Sequence, residues 1–177
     1  MFLTQMTDRR SVRKFQTKPI EKEKVGQLIE AALRSPSSRS FNPWRFIVVD
    51  QPELLEKLAK AKPHGASFLK NAPLGIVVLG DTSASDVWVE DTSIASIFIH
   101  LAAHDMGLGS CWIQIRKREH NDRMDANEYI KDLLDIPEHF AVESILAVGY
   151  PDESKKGHDR ESLNFDKVFF NQYGKTE

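Results

Sequence analysis

Arg9, Arg10, Arg13 and Lys14 place four cations within six residues, with the Ser11 hydroxyl among them and Phe15 closing the run. Asp8 is the only adjacent acid. A guanidinium is a planar fork of donors that meets phosphate oxygens two at a time, and serine adds a short neutral donor. The run suits a compact dianion better than a carboxylate; a solvated basic turn is the ordinary alternative. A second polar run, residues 35–44, holds Pro36, Ser37, Ser38 and Asn42 and ends at Trp44. Its prolines and serines stop a helix and prevent a strand, leaving hydroxyls, backbone donors and one amide free for a ligand.

Other residue types suggest chemistry more weakly. Cys111 in an apolar strand reads as a buried thiol. His100 and His104, one turn apart, lack the glutamate of a zinc-protease helix. His64 reads as a surface histidine beside Gly65. Trp88 suits helix packing or the cover of a ring, and Asp91 suits either orienting a neighbour or capping a polar pocket. Residues 116–118, Arg-Lys-Arg, read as a solvated loop that can also attract a nucleotide phosphate.

The elements that must position these groups follow from periodicity. A short helix is expected over 2–6, and an amphipathic one over 21–33, with Val25, Leu28, Ile29, Ala32 and Leu33 on one face. Residues 46–49 read as a buried strand, 52–61 as a surface helix with proline in its first turn, and 67–71 as a single turn. Residues 74–79 are continuously apolar, as a central strand should be. A long helix over 87–106 is apolar on nearly every side in its second half, which calls for more cover than one sheet provides. Gly107 and Gly109 close it with backbone free to take positive φ. A third strand over 110–115, a helix over 121–134, a fourth strand over 143–148, a charged loop and an aromatic tail over 163–173 complete the chain. The tail is expected to be buried, wrapped on another subunit. This order implies an α+β or α/β sandwich around one sheet.

With 177 residues, 41% hydrophobic and 28% charged, the chain suits one domain, 1–177, of ordinary composition. A net charge of −2 argues against a nucleic-acid-binding module. The lone cysteine excludes an internal disulfide and fits a reducing compartment. The first residues lack a signal-peptide pattern, and residues 94–106 are too short for a membrane span; a cytoplasmic protein is expected. Neither an internal repeat nor a low-complexity tract is visible. There is no dinucleotide-type glycine fingerprint and no phosphate-loop lysine motif.

Several features then coincide in order: the basic run, the Pro-Ser-Ser loop ending Asn42-Pro43-Trp44-Arg45-Phe46, and Asn71-Ala72-Pro73 before an apolar strand. Glu90-Asp91-Thr92-Ser93-Ile94-Ala95, Leu101-Ala102-Ala103-His104, Gly107-Leu108-Gly109-Ser110-Cys111-Trp112 and Gly149-Tyr150-Pro151 follow. Together, from about Thr7 to the tail, they resemble the nitroreductase family of FMN-dependent oxidoreductases. The resemblance implies an α+β fold with a mainly antiparallel, mixed sheet flanked by helices. It also implies a homodimer with two FMN sites between subunits and a C-terminal tail extending onto the partner. Arg9, Arg10, Ser11 and Arg13 match phosphate and ribityl contacts. Pro36, Ser37, Ser38 and Asn42 match a loop reaching the flavin from the other subunit. Ile113 and Gln114 match the strand beside the ring. Arg160, in competition with Lys155 and Lys156, is expected to complete the phosphate site. Phe98 stands where many members have asparagine, and Ala66 where some have glutamine or asparagine, which removes polar contacts to the ring.

The function so implied is NAD(P)H-dependent reduction of nitroaromatics, quinones or similar acceptors, with NADH or NADPH as hydride donor and ping-pong kinetics. No dedicated catalytic acid or nucleophile is expected, because the flavin carries the redox chemistry. No metal site is expected. The alternative is a flavin-binding protein for storage or breakdown of flavin.

Overall fold

The computed structural model describes residues 2–176. Helix α1 (Phe2–Asp8) leads into the basic run, followed by α2 (Lys22–Leu33), strand β1 (Trp44–Val49), α3 (Pro52–Leu58) and strand β2 (Leu74–Asp81). Helix α4 (Trp88–Asp105), β3 (Gly109–Gln114), a small hairpin of β4 (Glu119–Asn121) and β5 (Met124–Asp125), α5 (Ala126–Leu133) and β6 (Phe140–Gly149) complete the regular elements. The main sheet runs β1-β2-β6-β3, each neighbouring pair antiparallel. A single parallel bridge, Ser11 to Ser110, is what makes it mixed. The chain is thus α+β, as expected.

The sheet separates two apolar layers. On one face Leu28 and Ala32 of α2 and Ile99 and Ala103 of α4 pack on Ile76, Leu146 and Val148. On the other, Leu55 and Leu58 of α3, Leu69 of the turn at 67–71 and Ile130 of α5 pack on Val77, Ile113 and Ile145. Fully burying a side chain of this size contributes about 1.5–3 kcal/mol, so both layers hold the sheet firmly. β2 and β6, the central strands, are buried on both faces, which is why β2 reads as a nearly unbroken apolar run; β6 buries Glu143 and Ser144 within its own.

Two expectations need correction, and a third is left open by a single chain. The helix expected over 121–134 begins only at Ala126. Residues 119–125 form the β4–β5 hairpin instead, and Asp125 with Glu128 makes a reciprocal capping box that fixes the helix start. Gly107 takes positive φ (+73°) and Gly109 does not. Gly109 is needed for another reason: a Cβ there would lie 2.7 Å from Cβ of Val12. Finally, the tail is not buried within its own chain. Phe165, Val168 and Phe170 are about half exposed and Tyr173 is 92% exposed.

The basic run lies against the sheet because Gly109 permits that approach. Gly109→Ala should therefore displace Val12 and destabilise the fold by about 1–3 kcal/mol, read as a lower urea midpoint; an unchanged midpoint would show that the arm yields freely.

Candidate functional site

The arm 9–16 is stitched to the sheet by backbone bonds. The Val12 amide donates to Ser110 O (3.0 Å), the Gln16 amide to Tyr150 O (2.9 Å), and the Asp152 amide to Lys14 O (2.9 Å). Glu153 accepts from the Arg13 amide (2.6 Å) and pairs with Lys155 (3.0 Å), whose ammonium also donates to Ser11 O (2.7 Å). The effect is to spend the nearby carboxylate on backbone and lysine, leaving the guanidinium groups over. Among the described residues, Arg9, Arg10 and Arg13 form no ion pair. Arg10 donates to the Lys156 carbonyl.

Arg9, Arg10 and Lys155 line a cavity of 280 Å³ together with Asp8, Glu153 and residues 107–110. Arg13 turns to the other side of the arm, its guanidinium 5.8 Å from the Phe68 ring centre. It borders a larger concavity of 630 Å³ that also contains Lys14, Lys70, Asp50 and Asp152. The Cys111 thiol lies between these groups. Burial pushes its pKa up, while the charges of Arg13, Lys155 and Arg9 and a hydrogen bond from Ser11 oppose the rise. A thiol so placed stays protonated. Lys155, not Arg160, shares the cavity; the Arg160 guanidinium sits over the Phe165 ring at 5.0 Å, in the tail.

Strand β3 carries the site along the sheet edge. Because the Ser110 carbonyl faces outward to Val12, strand alternation turns the backbone groups of Trp112 and Gln114 outward as well and those of Cys111 and Ile113 toward β6. Of the two strand residues singled out from sequence, Gln114 offers its amide to the open edge, whereas Ile113 is wholly buried. The Gln114 side chain is held by the Trp112 indole N–H (2.9 Å) and by the Arg116 carbonyl (3.0 Å).

The Pro36–Asn42 stretch is built differently. Arg39, Ser40 and Asn42 all take φ near +50°, a strained arrangement for non-glycine residues that needs support from its surroundings. The support is specific. The Ser37 hydroxyl donates to Asn42 Oδ1 (2.7 Å) and accepts from the Asn42 amide (2.9 Å). The Ser38 amide donates to Asp91 Oδ1 (2.8 Å), and Ser85 approaches the other oxygen. Asp91, 2% exposed at the start of α4, is thus the anchor of this loop; its type alone left orienting and capping equally open.

These groups fall in two places. Cations and the β3 edge occupy one side of the sheet. The 36–42 loop precedes β1 at the opposite edge, three strands or about 14 Å away. Asp91 and His104, which mark the loop and the cation cavity, are also separated by about 20 Å of helix. One chain does not bring its own loop to its own cations. Glu143 is a further buried group beside the edge; its carboxyl is 3% exposed with Oε2 unpartnered, and burial raises its pKa despite the nearby Arg116.

Comparison with known proteins adds the following. The model of the nitroreductase family matches residues 6–63 and 60–150. A relative from Methanothermobacter thermautotrophicus, named NADH dehydrogenase/NAD(P)H nitroreductase, is 40% identical over 154 residues, 85% of this chain and 78% of that one. A solved structure titled as an FMN-dependent nitroreductase from Clostridium difficile R20291 is 45% identical, with TM-score 0.96 over 97% of this chain and 99% of the other. A nitroreductase family protein from Clostridium novyi NT superposes with TM-score 0.76 at 27% identity, over 99% and 96% of the two chains.

His100, buried beneath the cavity, shares a 2.6 Å hydrogen bond with the Ser110 hydroxyl. Burial first, then the Arg9 charge, lowers its pKa to about 4. The unfolded chain binds this proton more readily, so the stabilisation from neutral His100 is complete above pH 6.5 and lost as pH falls toward 4. The slope is at most about 1.4 kcal/mol per pH unit. Urea unfolding across this range should show the decline, and His100→Gln should flatten it.

Proposed function

The chain belongs to the nitroreductase family, and we propose that it is a homodimeric, FMN-dependent NAD(P)H oxidoreductase that reduces nitroaromatics, quinones or similar acceptors. The single observation that carries this reading is the pair of guanidinium groups without an ion pair, Arg9 and Arg10, beside Lys155 at one end of an open strand edge whose other end presents the Gln114 amide. The edge from Gly109 to Gln114 runs about 17 Å, long enough for an anionic tail at one end and a flat polar ring at the other. The donor set fits FMN: guanidinium and ammonium groups for a phosphate dianion, and edge amides for ring nitrogen and oxygen.

When bound, FMN supplies the redox chemistry, accepting a hydride from NADH or NADPH and delivering it to the acceptor. The residues of this chain bind and orient. Arg9, Arg10, Arg13 and Ser11 take the phosphate and ribityl end, with Lys155 in the position expected of Arg160. The Gln114 amide, fixed by the Trp112 and Arg116 contacts on its side chain, donates at the ring edge. Pro36, Ser37, Ser38 and Asn42 serve the flavin of the other subunit, since within one chain they lie at the opposite sheet edge. A two-fold dimer supplies that juxtaposition twice, and the exposed Ile94 and Ile97 of α4 together with the tail aromatics are the surfaces it would cover. Donor and acceptor use the same place in turn, so the kinetics are ping-pong. No helix among the described residues is long and apolar enough to cross a membrane, and a cytoplasmic setting fits.

The purified protein should show flavin absorption bands and turn over NADH or NADPH with a nitroaromatic or quinone. Bound flavin without turnover would favour flavin storage or breakdown instead; a colourless protein that ignores FMN would reject both. Arg9→Ala with Arg13→Ala should weaken FMN binding roughly 10- to 100-fold or more, measured by flavin fluorescence, and Lys155→Ala should weaken it more than Arg160→Ala. Truncation before Leu163 should weaken dimerisation in sedimentation; an intact dimer would place the interface elsewhere.

A further inference from the structure

A second cationic concavity lies beyond the Gln114 end of the β3 edge. It measures 480 Å³ and is walled on one side by Lys62, Pro63 and His64 and on the other by Lys117, Arg118 and Glu119. Its two walls are tied at the base. His120 shares a 3.2 Å hydrogen bond with Ala61 O and stacks on Tyr129 at 4.1 Å, and Tyr129 donates to Lys57 O. Gly65, at φ +77°, turns the chain back under the Lys62 ammonium.

The cleft carries uncompensated charge. Among the described residues Lys62, Lys117 and Arg118 form no ion pair. The Arg118 guanidinium reaches only the Lys117 carbonyl, at 3.3 Å. Partial burial first, then the Arg118 charge, lowers the Lys62 pKa. Lys117 and Arg118 follow the last residue of β3, Gln114, by three and four positions, which places the cleft beside the end of the strand that carries the edge amides. Arg116, nearest in sequence to that edge, is turned over the Trp88 ring at 5.8 Å and does not line the cleft.

We infer that this cleft takes a phosphate group of the dinucleotide hydride donor, with Lys62, Lys117 and Arg118 as its cations. The inference rests on the oxidoreductase reading above and adds to it the residues that hold the donor. A donor whose nicotinamide reaches the Gln114 end of the edge has to carry its phosphates past that end, and the cleft is the cationic surface found there. Glu119 at the rim opposes unselective capture of anions and favours a group that enters between the three cations.

The test uses the FMN-loaded protein and the double variant Lys117→Gln/Arg118→Gln, both exposed side chains in a turn. Steady-state KM values for NADH and NADPH are measured with 1,4-benzoquinone at low ionic strength, and flavin content is read from absorbance. The expected result is a rise of about tenfold or more in donor KM with flavin content unchanged. A rise for NADPH alone assigns the 2′-phosphate; an equal rise for both donors assigns the pyrophosphate. Unchanged KM for both overturns the inference. Should the flavin-loaded wild type oxidise neither donor, the oxidoreductase reading fails. Calorimetry with adenosine 2′,5′-bisphosphate then decides the cleft separately: binding lost in the variant supports it, and no binding to wild type rejects it.

Discussion

Holding like charges together without a counter-ion requires a backbone that cannot move away. That constraint governs the first sixteen residues. Arg9, Arg10 and Arg13 repel one another, and the neighbouring Glu153 carboxylate is engaged with the Arg13 amide and Lys155. The backbone bonds to Ser110, Tyr150 and Asp152 keep the arm in place against that repulsion. Gly109 lets the arm come close enough to make them, and the two apolar layers keep β3 and β6 where the bonds require. Charge, glycine and core are thus one arrangement, in which packing free energy is used to keep an electrostatically unfavourable cluster assembled.

What could be read from the chain tracks how local each cause is. The amphipathic face of α2 and the unbroken apolar run of residues 74–79 in β2 follow from the sequence pattern, and they appear where it puts them. The start of α5 was equally local, since Asp125-Ala126-Asn127-Glu128 is a capping-box spacing; the polar run before it masked a hairpin. Asp91 acting on Ser38, 53 residues earlier, has no local signature, because only the packing of α4 beside the loop brings them together. The choice between Lys155 and Arg160 is of the same kind. Both are cations in a charged segment, and the path of the chain after Pro151 decides which of them turns back to Ser11. The tail aromatics stay exposed on a single chain, and the proposed dimer would cover them.

The sheet also explains why the polar groups divide as they do. Antiparallel order β1-β2-β6-β3 puts the loop before β1 and the edge of β3 at opposite margins of the same layer. The three left-handed residues of the loop, Arg39, Ser40 and Asn42, cost conformational energy that Ser37 and Asp91 offset through hydrogen bonds, so the loop is held ready although nothing in its own chain uses it. The loop at one margin and the cation cluster at the other are the two halves that the proposed two-fold dimer would bring together.

The cation cavity has one more property that follows from its walls. Residues 9–10 come from the beginning of the chain and residue 155 from near its end, some 145 positions later. An anion seated there acts as a noncovalent clasp across almost the entire polypeptide, closing a very long loop whose opening would otherwise gain entropy. Occupancy and the integrity of both termini are therefore thermodynamically linked. Emptying the cavity should loosen the two ends first, making protease susceptibility at the extremities a gauge of how full the cavity is.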